Sequence, residues 1–317
     1  MAAISASHCF QPGSILVIRH GNVAGVDVVR NLLISRVLEG DFVFERHIVD
    51  WDDAYTNGAN IAGGERWPKA WVGPAQQFRE DLAASSRARL DLAYGDGESN
   101  RFDLFLPQGA PKGLVVFVHG GYWMALDKSF WSHLARGPID SGYAVAVPSY
   151  TLCPEVRIST IVHEIGAAIG KAADLIEGPI MLTGHSAGGH LVSRMVSATT
   201  PLPPSIQARI RNVVSISGVH DLRPLMHTRM NDNLKIDEAE ALAESPALLR
   251  PLRGTRICCW VGGGERDEFL RQSALLANVW TGLDATTSSV VEPDRHHFSV
   301  IEGLSDAAHP LTRALLS

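Results

Sequence analysis

The sequence predicts an α/β fold built on a mostly parallel, doubly wound sheet with helices on both faces and a small cap-like insertion. Short, fully apolar runs recur along the chain, and helical periodicity fills the gaps between them. A sheet covered on both faces needs strands of this kind, and alternation of strand with helix is what winds it in parallel.

The apolar runs are Leu114 to Val118, Tyr143 to Val147, Ile180 to Thr183, Val213 to Ser217, Ile257 to Val261 and Ser288 to Val291. Before them, Arg101 to Leu106 alternates polar with apolar residues and suits an antiparallel strand nearer the sheet edge. Ile158, Ile161, Val162, Ile165, Ala168, Ile169, Ala172 and Ile176 mark one face of an amphipathic helix. Gly188 to Ser197 and Glu268 to Trp280 also read as helices. The catalytic domain is expected to span 50–317. Residues 222–253 break the rhythm with several prolines and methionines. They read either as a cap or as a long surface excursion with one helix at Glu238 to Ala243. Residues 1–49 form an N-terminal extension of unknown role, in which Val28, Val29, Leu32, Leu33 and Val37 are spaced for a helix.

Composition narrows the function classes. The chain has 317 residues, 45% hydrophobic and 20% charged, enough for a large buried core. Its net charge of −6, without a Lys or Arg run, disfavours nucleic acid as a partner. No stretch is long and apolar enough for a bilayer, and the apolar run Ile15 to Ile18 is too short for a signal core. Cys258 and Cys259 are adjacent on a predicted strand, where they make poor disulfide partners, and no CxxC spacing exists. A cytoplasmic protein is expected.

The chemistry centres on Gly184-His185-Ser186-Ala187-Gly188, a G-x-S-x-G between a predicted strand and a predicted helix. In this context the motif is a nucleophile elbow, whose tight turn leaves no room for side chains two positions from the serine. The alternative is a small-residue turn with Ser186 as a helix cap. His119-Gly120-Gly121-Tyr122-Trp123 follows an earlier strand, where an α/β-hydrolase places its oxyanion loop. The amides of Gly121, Tyr122 and Ala187 are therefore the expected oxyanion donors, with His119 bracing the loop. A general base should follow the last strand. His297 is preferred there over its neighbour His296 because it directly precedes Phe298, which opens the closing helical pattern. The acid falls in Gly262 to Glu268, where spacing from the strand's terminal glycine favours Glu265 over Asp267. The histidines show no metal spacing, and neither metal nor cofactor is expected.

With these residues assigned, the chain resembles kynurenine formamidases (arylformamidases) and bacterial carboxylesterases of the same α/β-hydrolase group. The matching stretches are 119–123 (HGGYW), 184–190 (GHSAGGH), 268–273 (EFLRQS), 296–298 (HHF), 51–55 (WDDAY) with Asn57-Gly58, and 149–154 (SYTLCP). The resemblance runs from about Asp50 to the C-terminus. It implies hydrolysis of N-formylkynurenine or of small esters through an acyl-serine, and it places the family's acid at Glu265. An aryl ring is expected beside Ser186 against Trp123, Tyr150, Trp51, Tyr55 and Met226. The alternatives are a carboxylesterase with no role in tryptophan breakdown and a non-catalytic hydrolase-fold binding protein. The expected partner is a small-molecule substrate, with neither nucleic acid nor membrane, and a homodimer is the one assembly carried as an expectation.

Overall fold

The computed structural model describes the backbone of 34–38 and 41–45 and the whole of residues 47–317. Internal contacts divide the chain into Met1–Asp50 and Trp51–Ser317. In the first unit, β1 (Ile34–Leu38) pairs antiparallel with β2 (Asp41–Glu45), with Ile34 opposite Glu45. The helix expected through Val37 is thus a strand at its C-terminal end. β-branched and aromatic residues crowd this segment and favour the extended chain. The rest of that expected helix lies outside the described residues, as do Ile15 to Ile18.

In the second unit an eight-stranded sheet runs in the order β10-β9-β8-β7-β5-β6-β4-β3. Its strands are β3 (Ala88–Ala93), β4 (Arg101–Phe105), β5 (Leu114–Val118), β6 (Ala144–Pro148), β7 (Ile180–His185), β8 (Ile210–Ile216), β9 (Arg256–Gly262) and β10 (Thr286–Glu292). β3 pairs antiparallel with β4, and β4 with β6; every other pairing is parallel. The helices are α1 (Trp51–Tyr55), α2 (Trp67–Ala84), α3 (Arg136–Asp140), α4 (Ile158–Leu175), α5 (Ala187–Arg194), α6 (Pro204–Gln207), α7 (Asn231–Leu234), α8 (Glu238–Glu244), α9 (Asp267–Thr281) and α10 (Pro310–Leu316).

Layering follows from the apolar strands. β5 and β6 are buried along their whole length, so each presents apolar side chains to both faces. On one face α2, α3 and α10 enclose a core with Phe105, Val115, Phe117, Val145, Val147, Ile216 and Trp260. The other is covered by α4, α5 and α9, with Ile158, Ile161, Ile165 and Ile169 of α4 all buried. At the sheet edge, Lys128 sits between Asp103 (2.8 Å) and Asp91 (2.7 Å) beside an irregularity in β3. That interruption and its charges protect an edge strand from pairing further.

The 222–253 insertion is pegged to the body. Arg157, just before α4, bonds Glu240 at 2.6 Å, and Arg194 of α5 bonds Glu244 at 2.7 Å. His190 of α5 also donates from Nε2 to the Glu244 carbonyl at 2.7 Å. The helix expected at Glu238 is present as α8. Among the described residues no helix is long and apolar enough to cross a membrane.

Candidate active site

Ser186 sits in the single step between β7 and α5 with φ +55° and ψ −115°, a conformation that costs a non-glycine residue energy. Its amide donates to the Ile216 carbonyl at 2.8 Å, tying the turn to β8. The flanking glycines are sterically required. A Cβ at Gly184 would overlap the Gly188 carbonyl, and one at Gly188 would overlap the Val118 carbonyl of β5. Across the gap, a Cβ on Gly120 would lie 2.9 Å from the His185 carbonyl oxygen and 3.1 Å from Ser186 Cβ. The glycine loop after β5 therefore rests directly on the serine turn.

That loop holds an unusual backbone: Gly121, Tyr122 and Trp123 have φ of +110°, +51° and +58°. The Tyr122 hydroxyl donates to the Tyr55 carbonyl and accepts from Asn57 Nδ2 at 3.2 Å, so α1 and the residues after it clamp the loop. His119 braces it from below, as its sequence position suggests. Its ring stacks on Tyr150 at 4.3 Å and on Trp131 at 5.4 Å, and Nδ1 donates to the Gly120 carbonyl at 2.7 Å. Burial holds His119 down to about 4, so the imidazole is neutral.

Past β10, His297 is buried and donates from Nδ1 to Glu265 Oε2 at 2.6 Å. The other oxygen of Glu265 accepts from Ser217 Oγ at 2.5 Å and from the Gly262 amide at 2.8 Å. Glu265, rather than Asp267, is thus the carboxylate on the imidazole. Asp267 is instead the first residue of α9, where a negative charge suits the helix N-terminus. His296 is half-buried; its Nδ1 accepts from the amides of Phe298 and Ser299, both at 3.2 Å, and its ring meets Trp67 edge-on at 5.1 Å. It caps a turn. His185 donates from Nε2 to the His297 carbonyl at 2.8 Å, and the two rings lie 4.5 Å apart. Burial, then the nearby His297, holds His185 well below the ordinary histidine range. The Phe269 ring closes the other side of His297 at 4.6 Å.

The expected aryl platform is a different matter. Trp123 is fully buried, its ring edge-on to His190 at 5.2 Å, because the run of positive φ turns its side chain inward beneath the loop. Tyr150 is buried against His119 and donates to the His119 carbonyl at 3.1 Å. Tyr55 is buried, its hydroxyl donating to Glu268 Oε1 at 2.7 Å and accepting from Gln272 at 2.9 Å. These three rings serve as scaffold. Trp51 and Met226 are half-buried, and Trp51 stacks on His227 of the insertion at 6.1 Å. Sequence reasoning missed Ser217, Phe269 and the tyrosine clamp; only the placement of a hydroxyl residue at a strand's C-terminal end hinted at the first. Among the described residues no group of three or more His, Cys, Asp or Glu side chains is placed to hold a metal ion.

A kynurenine formamidase from Danio rerio is 30% identical over 260 residues, covering 78% of this chain and 87% of that protein. The chain belongs to the kynurenine formamidase family. The BD-FAE family model matches residues 102–251. A crystal structure of a proposed thioesterase from a Silicibacter species is 50% identical, with TM-score 0.81 over 84% of this chain and 99% of that one. EstE1, a thermostable carboxylesterase cloned from a metagenomic library, shares the fold at 19% identity and TM-score 0.59, over 76% of this chain and 97% of that one. As a member of this family the chain is an α/β-hydrolase enzyme that acts on a formamide or ester.

Proposed function

We propose that the chain hydrolyses N-formylkynurenine to formate and kynurenine, a step of tryptophan breakdown, through an acyl intermediate on Ser186. The observation that carries this is the buried His297–Glu265 pair beside the serine turn, which would orient a general base. In this mechanism His297 Nε2 takes the Ser186 Oγ proton as the oxygen attacks the formyl carbon. Amides of Gly121, Tyr122 and Ala187 stabilise the oxyanion. His297 then protonates the departing aryl nitrogen, and kynurenine leaves. Water, deprotonated by the same imidazole, attacks the formyl ester and releases formate. Glu265 accepts the Nδ1–H bond throughout, fixing the neutral tautomer and stabilising the imidazolium that forms. We place the enzyme in the cytoplasm, a reading supported by the unpaired, buried thiols of Cys153, Cys258 and Cys259.

A second reading, a carboxylesterase for short esters, is favoured by the burial of Trp123, Tyr55 and Tyr150, which leaves those rings unable to stack on an aryl group. Turnover of N-formylkynurenine beside a p-nitrophenyl ester series separates the two. A kcat/KM for the formamide at least equal to that for the acetate ester supports the first; ester turnover with none on the formamide replaces it with the second. Ser186→Ala should remove activity on both substrates by several powers of ten, roughly as loss of the nucleophile does in subtilisin.

A further inference from the structure

Ser217, the residue after β8, is fully buried and has φ +50°, a strained backbone for a residue with a side chain. Its neighbours explain what the strain holds in place. The Ser217 amide donates to the Trp260 carbonyl of β9 at 2.7 Å, and its Oγ donates to Glu265 Oε1 at 2.5 Å. One residue earlier, the Ile216 carbonyl accepts from the Ser186 amide at 2.8 Å. A single dipeptide therefore touches the backbone of the serine turn with one residue and the carboxylate on His297 with the next. Gly218 lets the chain turn away at once, since a Cβ there would overlap Ser215 Oγ.

A glutamate carboxylate rotates easily about its last torsion, which has broad, two-fold preferences. Two donors on Oε1, Ser217 Oγ and the Gly262 amide, remove that freedom and leave Oε2 for His297 Nδ1. Without the hydroxyl, the Gly262 amide is the one donor left on Oε1. We infer that Ser217 is a positioning residue that locks the rotation of Glu265 and thereby the imidazole of His297; this rests on the assignment of Glu265 and His297 as acid and base. The backbone strain keeps the hydroxyl on Oε1, and the same dipeptide keeps the nucleophile turn in register with the acid.

The test compares Ser217→Ala and Ser217→Gly with the wild type, using Ser273→Ala as a control for a lost buried hydroxyl. Ser273 lies on α9, is fully buried, and its Oγ has no partner among the described residues. Active sites are counted with a fluorophosphonate probe, and kcat and KM are measured per labelled site on p-nitrophenyl acetate. The His297 Nδ1 proton is followed as a downfield resonance. Both Ser217 variants should label fully yet lose roughly tenfold or more in kcat per site, the worth of a hydrogen bond to a charged group, with KM within about twofold. The downfield resonance should move or broaden in both variants, and Ser273→Ala should change neither readout. A merely structural role would lower the labelled fraction and leave kcat per site intact. Full activity in the glycine variant with loss in the alanine one would assign the effect to the backbone and overturn the inference. A wild type not labelled at Ser186 would sink the acid–base assignment and this inference with it; a labelled wild type with fully active Ser217 variants sinks this inference alone.

Discussion

Moving the protein from pH 7 to pH 5 should strip it of much of its stability. His119, His190 and His220 are fully buried, and burial, the largest cause in each case, holds them to about 4, about 3 and about 3. Since these folded values lie below the unfolded value near 6.5, the stabilisation is complete above that value. It is lost as the pH falls toward the folded values, because the unfolded chain binds protons that the folded one refuses. A pH of 5 lies about 1.5 units below the unfolded value, which at about 1.36 kcal/mol per unit removes about 2 kcal/mol for each imidazole. Three together remove about 6 kcal/mol, against a total of about 5–15 kcal/mol for a typical domain. His185 is shifted in the same direction and adds to the loss. Urea unfolding followed by circular dichroism at intervals from pH 7 to pH 5 measures this. The free energy should fall with a slope of at least about 4 kcal/mol per pH unit once below about pH 6, and His220→Asn should reduce that slope by about 1.4 kcal/mol per pH unit. A midpoint that stays flat from pH 6.5 to pH 5 would refute the picture of neutral, buried imidazoles.

Four further outcomes follow. Glu265→Gln should cost far more kcat than Asp267→Asn, and His297→Ala far more than His296→Ala, on the order of a thousandfold or more for the first of each pair; steady-state kinetics on p-nitrophenyl acetate reads this directly. Gly188→Ala should abolish activity and lower the melting temperature by several degrees, because its methyl meets the Val118 carbonyl. Gly170→Ala on α4, where nothing lies within 4 Å, should stabilise by roughly 0.5–1 kcal/mol. Trp123→Ala should destabilise by about 3–5 kcal/mol in thermal unfolding, as truncation of a buried ring does, and impair aryl and alkyl substrates alike.

The central strands were legible because being buried on both faces leaves no polar positions, and the elbow because its glycines answer to local sterics. β3 was not, since every one of its residues is at least partly exposed and Arg89 and Asp91 read as surface. α2 was hidden by Pro68 and Pro74, although Trp71, Ala75, Phe78 and Leu82 keep a helical stripe. Glu265 and His297 could be reached from their order after strands. Ser217 could not, because its bond to Glu265 spans 48 residues and no short-range pattern announces it. Trp123 misled for the opposite reason: its position beside the loop is local, while the direction of its side chain depends on three consecutive positive φ angles that composition does not reveal.

The two carboxylates that peg the insertion, Glu240 and Glu244, stand one helical turn apart on α8. They answer to different masters. Glu240 reaches the start of α4 through Arg157 and the Ser159 amide, while Glu244 reaches Arg194 and His190 on the helix directly behind Ser186. The insertion is therefore divisible. The stretch from Met226 to Ile236 carries neither of these two carboxylates, while grafts cut downstream of Glu240 would disturb the nucleophile from behind. A chimera that keeps α8 and replaces only what precedes it should therefore keep its turnover of p-nitrophenyl acetate.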